Sequence, residues 1–149
     1  MPPMLSAALV LGLAIAAPGA QVNHTARVDH HSGPVTAHYR GQVDIQHKQV
    51  GTVAPGGRAS TLRCDWSARL TVARQATATS GRTMHRSFVS HPAVAGSRIG
   101  WCSTHREAIA KDVAARLPDL DRHLQTVASE DHDVLRAELD HAHGLVATG

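Results

Sequence analysis

At 149 residues, with a formal net charge of +3 and two cysteines, the chain has the size of a single small domain. Its aromatic residues are only Tyr39, Trp66, Phe88 and Trp101, so Val, Leu, Ile and Ala must build a thin core. The mild positive charge favours anionic partners, but it is spread along the chain and not interleaved with aromatics, which argues against nucleic acid as a partner.

Residues 1–20 read as an export signal. An apolar run from Met4 to Ala17 ends in small residues, and cleavage after Ala16 or Ala20 would suit a signal peptidase. The run falls short of the twenty or so apolar residues of a comfortable membrane span, and no later stretch offers one. The expected location is therefore periplasmic or extracellular, with no membrane span in the mature chain. Residues 21–34 are polar and turn-rich, and read as a flexible leader into a domain over 35–149.

Val35, Ala37, Tyr39, Val43 and Ile45 then alternate with Thr36, His38, Arg40, Gln42 and Asp44, the period of a half-buried strand. Gly41 interrupts the apolar parity and reads as a bulge or bend. After the turn signal Ala54-Pro55-Gly56-Gly57, a second alternation places Leu62, Cys64, Trp66, Ala68, Leu70 and Val72 on one face. A third strand fits residues 83–90, ended by Pro92, and a short fourth one residues 98–102. Beyond Cys102 the period becomes helical. Thr104-x-x-Glu107 has the form of a capping box, Ile109, Val113 and Leu117 form a stripe, and Pro118 stops it. A second pattern runs from Asp119 to a C-cap at Gly144, with residues 129–133 interrupting its apolar face, so it is one bent helix or two. Strands first and helices after predict an α+β fold: an antiparallel meander of three to four strands followed by two to three C-terminal helices. Cys64 and Cys102 are expected to form one structural disulfide in an oxidising compartment.

Twelve histidines are the one unusual feature of composition, and imidazole is the commonest metal ligand. The best-placed candidate ligands for a divalent transition metal are His132, Glu138, His141 and His143, which cluster near the C-terminus. A candidate binding surface is the polar face of the hairpin, with His38 and Arg40 on one strand and Arg63 and Arg69 on the next. Asp65 shares that face with Arg63 and Arg69 and is expected in an exposed ion pair. The chain carries no Gly-x-Ser-x-Gly elbow, His-Glu-x-x-His, phosphate-binding loop or dinucleotide fingerprint. In His30-His31-Ser32-Gly33 a nucleophile stands near a base, but near neighbours do not usually present the required geometry. The expectation is a non-enzymatic, envelope-associated binding or structural module without a resident cofactor. Its partner would be an anionic envelope component or a protein. The alternative is a periplasmic histidine-rich metal-binding protein.

Overall fold

The structure, a computed structural model, describes residues 19–58 and 60–147. The expected export signal lies outside the described residues except for Gly19 and Ala20. Five strands form one antiparallel sheet: β1 (Gln21–Val28), β2 (Val35–Val50), β3 (Arg63–Thr77), β4 (Thr83–Val89) and β5 (Val94–Ile99). Two helices follow, α1 (Cys102–Ala115) and α2 (Leu117–Ala147), completing the expected α+β order. No helix among the described residues is long and apolar enough to cross a membrane.

The long hairpin β2–β3 is the spine of the sheet, paired from Thr36↔Thr77 to Val50↔Arg63. On its far edge β4 and β5 lie end to end, β4 pairing with residues 71–77 of β3 and β5 with residues 63–68. Between them residues 90–93 bulge outward, because Pro92 cannot donate to the ladder. The bulge is held by Ser90 N–H on Leu70 O (2.8 Å) and Ala93 N–H on Ala68 O (2.8 Å). The segment 21–34, expected as a loose leader, departs from that reading. Residues 21–28 form β1 and pair in register with β2, from Gln21↔Gln42 to Val28↔Val35. The reason lies in its own alternation: Val22 and Val28 are buried on the covered face while Gln21, Asn23, Thr25 and Arg27 face outward.

Both helices cover one face only. There Val35, Ala37, Tyr39, Cys64, Ala68, Leu70 and Val72 meet Ile109 and Val113 of α1 and Leu120, Leu124, Leu135 and Leu139 of α2. Gly41 is no bulge, since it sits in regular register between Val22 and Val72. A Cβ there would fall 3.1 Å from Val22, 3.3 Å from Leu70 and 3.5 Å from Leu124, so the bare backbone is where α2 seats Leu124 against the sheet.

The cystine Cys64–Cys102 (Cα–Cα 4.8 Å) joins β3 to the first residue of α1. No capping box forms, because α1 begins two residues before Thr104, with Trp101 as N-cap. Its first amide is satisfied from the sheet instead: Cys102 N–H donates to Gln49 Oε1 (2.7 Å), while Gln49 Nε2 donates to the Arg63 and Gly100 carbonyls (3.0 and 3.2 Å). Pro118 falls in the first turn of α2, where a missing N–H costs nothing. The helix α2 then continues for 31 residues through 129–133 and past Gly144, which is an interior position and not its C-cap.

Candidate functional site

The uncovered face of the sheet carries the candidate binding surface. The parity that points Ala37 and Tyr39 into the core points His38 and Arg40 outward, and cross-strand pairing sets Thr25 beside His38, Asn23 beside Arg40, and Gln75 beside both His38 and His85. Ala73, small and opposite Arg40, leaves the centre low. The result is a depression of about 460 Å³ lined among others by Thr25, His38, Arg40, Ala73, Gln75 and His85. The side chains that face it from the open parity include one arginine, Arg40, and two histidines, His38 and His85, and no carboxylate lines it. Thr25 Oγ1, 3.0 Å from His38 Nδ1, fixes that ring at the rim.

The four residues of the candidate surface all lie on this face, but they divide. Arg63 Nε donates to Asp65 (3.1 Å), the ion pair expected from the sequence, and Ser97 Oγ–H donates to the same carboxylate (2.8 Å). These contacts, the serine first, hold the Asp65 carboxyl below its ordinary range. Arg69 pairs across the strands with Asp44 (3.2 Å) and not with Asp65. Charge on that half of the face is thus neutralised locally. At the other half, Arg40 and His85 make no side-chain hydrogen bond or ion pair among the described residues, so the Arg40 guanidinium and the His85 ring nitrogens remain available.

Beneath the sheet lies a network with no counterpart in the sequence reading. Arg74 continues the covered parity of β3 two residues past Val72 and is buried, with its side chain 0% exposed. Its Nε stands 3.0 Å from Asp131 Oδ2, a charge contact not aligned as a hydrogen bond. Nη2 donates to Glu138 Oε2 (2.7 Å). Asp131, also buried, accepts from Tyr39 Oη (2.9 Å) and from Arg86, whose guanidinium lies 4.5 Å from the centre of the Phe88 ring. Burial first, then the bond to Asp131 and its charge, push the Tyr39 hydroxyl pKa upward. Two arginines balance two carboxylates here, which makes the network a charged clasp between α2 and the sheet.

The candidate metal ligands are not brought together. Glu138 is held by Arg74, and His132 lies under the sheet with its ring centre 6.3 Å from that of Tyr39. Burial, then the charge of Arg136, lower the His132 pKa. His141 joins neither of them, while His143 reaches a different group, its ring 5.3 Å from His31 in an edge-on contact. That group is His30, His31 and Asp140, the one set of three nitrogen or oxygen ligands that converges among the described residues. His30 Nε2 and His31 Nε2 lie 2.7 and 3.0 Å from the same oxygen, Asp140 Oδ1. His30, then His31, hold the Asp140 carboxyl below its ordinary range.

Near neighbours do not usually place a hydroxyl on a base, but here Ser32 Oγ sits 2.5 Å from His30 Nδ1. Along the line Ser32–His30–Asp140 the amides nearest the hydroxyl are already engaged. Ser32 N–H is turned onto His30 Nδ1 (3.2 Å) and Gly33 N–H onto the His30 carbonyl (3.0 Å), so neither neighbouring amide is left to stabilise an oxyanion. A missed signal for this group was present: two adjacent histidines in a turn between strands. Its partner Asp140 could not be found by spacing, being more than a hundred residues away. Compared with known protein families, curated proteins and solved structures, the chain matches none.

Proposed function

We propose that the chain works outside the cytoplasm, in the periplasm or beyond the cell, as a non-enzymatic module that binds an anionic envelope component on its open sheet face. The observation that carries this reading is the depression around Arg40, His38 and His85, with cationic and neutral donors, no carboxylate and an unpaired guanidinium. Such a surface favours phosphate- or carboxylate-bearing groups, because charge-assisted hydrogen bonds to them are the strong ones. Export is supported by the apolar run at residues 4–17, and a core disulfide is compatible with an oxidising compartment.

Calorimetric titration with inorganic pyrophosphate tests the binding. Arg40→Ala should weaken it by about fivefold to tenfold, the loss of one partly exposed charge-assisted bond. Arg63→Ala, whose guanidinium already serves Asp65, should change it by less than about twofold. Equal effects of the two substitutions, or no binding by the unaltered protein, would remove the reading.

A further inference from the structure

We propose that His30, His31 and Asp140 hold a divalent transition-metal ion of the zinc type, clasping the β1–β2 turn to the C-terminal part of α2. This is separate from the open sheet face, and neither depends on the other.

Three donor atoms, two imidazole nitrogens and a carboxylate oxygen, lie within 4.8 Å of one another. Tetrahedral coordination with bonds of about 2.0–2.1 Å needs donors about 3.3–3.4 Å apart. The Nε2–Oδ1 separations of 2.7 and 3.0 Å therefore have to open by only about half an ångström, within the reach of side-chain rotation. The set is borderline in softness, which suits zinc, copper or nickel over magnesium or calcium.

The scaffold around these donors is firm. Val28 and Val35, each 1% exposed, close the end of the β1–β2 pairing and frame the turn that carries both histidines. Leu135 and Leu139, on the buried stripe of α2, place Asp140 over that turn. The His30 side chain is only 3% exposed, while His31 and Asp140 are about 60% exposed, so the site is anchored on one side and open to an entering ion on the other.

A partner beyond the ligands is present as well. Ser32 N–H donates to His30 Nδ1, which leaves the proton on Nε2, between the ring and Asp140. A metal ion would take that position. The proton would then reside on Nδ1, the Ser32 N–H would release that nitrogen, and Ser32 Oγ would accept from it, the outer hydrogen bond that orients a metal-bound imidazole. His31 adds its ring 4.0 Å from that of His30, and His143 stands against its edge.

The test is zinc titration of untagged full-length protein by calorimetry, with native mass spectrometry for stoichiometry. One zinc per chain at micromolar or tighter affinity is expected. His30→Ala and Asp140→Asn should each weaken it by at least about tenfold. His141→Ala, which removes a histidine without touching the group, should leave it unchanged. Because Asp140→Asn keeps all twelve histidines, it separates this site from adventitious zinc on scattered imidazoles. Circular dichroism confirms that each variant is folded. Absence of stoichiometric zinc, or equal affinity in the unaltered protein and Asp140→Asn, would overturn the proposal.

Discussion

Asp131 shows how a single residue decides where α2 can lie. It occupies the buried stripe of the helix, between Leu124 and Leu135, where an apolar side chain would normally stand. Its carboxylate is tolerable there only because Arg74, Arg86 and Tyr39 all reach it. Asp131→Ala should therefore cost up to about 3 to 5 kcal/mol in urea denaturation, since it leaves the buried Arg74 with Glu138 as its one carboxylate partner and removes the acceptor of Tyr39 and Arg86. Asp133→Ala, at a carboxylate 90% exposed, should leave the midpoint nearly unmoved. His132 adds a pH dependence of known sign. Its imidazole is held below the ordinary value of 6.5 by burial, and Nε2 is buried with no hydrogen-bond partner, so the fold favours the neutral ring. That stability is complete above pH 6.5 and is lost as pH falls through it toward the lower folded value. Denaturation midpoints measured between pH 8 and pH 5 should fall on acidification, and less so in His132→Gln. The arginine was legible by counting: Arg74 has the same parity as Leu70 and Val72, and an alternation carried two residues further would have placed it inside. Its partners were not, because no local pattern reveals which distant carboxylate will meet a buried cation.

Elements follow the alternation of the sequence closely, and the departures have local causes. The hairpin, the strand over residues 83–89 and both helices were readable from period alone, since each keeps a single apolar face. The first strand was hidden because its turn-rich neighbour, His30-His31-Ser32-Gly33, blurred a segment only eight residues long. A capping pattern misled at α1 because Gln49, from the sheet, supplies the cap that Thr104 was expected to give. Packing between elements is tight where glycine allows it. At Gly96 of β5, opposite Trp66, a Cβ would meet the indole at 2.6 Å. Gly96→Ala should displace the indole and lower stability by about 1 to 3 kcal/mol, visible as a changed tryptophan emission and a reduced melting temperature.

At the scale of the whole molecule, a sheet covered on one side by two helices leaves its other side as the natural place for recognition. Core size limits such a domain, and the cystine compensates. Its 38-residue separation corresponds to a loop-closure contribution of about 4 kcal/mol at most. Reduction with dithiothreitol should therefore lower the melting temperature substantially, and Cys64→Ser with Cys102→Ser should reproduce that shift. The open face was foreseen as a surface, but not its division. Sequence alternation places His38, Arg40, Arg63 and Arg69 together, whereas only the cross-strand register shows that Asp44 meets Arg69 and Ala73 meets Arg40.

Chemical-shift mapping on nitrogen-15-labelled protein during titration with pyrophosphate bears most directly on that division. Perturbations should concentrate at Thr25, His38, Arg40, Gln75 and His85, with Arg63 and Arg69 nearly still and the helices silent. Shifts centred on α2 or on the Arg63–Arg69 half, or spread evenly over the basic residues, would contradict the assignment of the binding face.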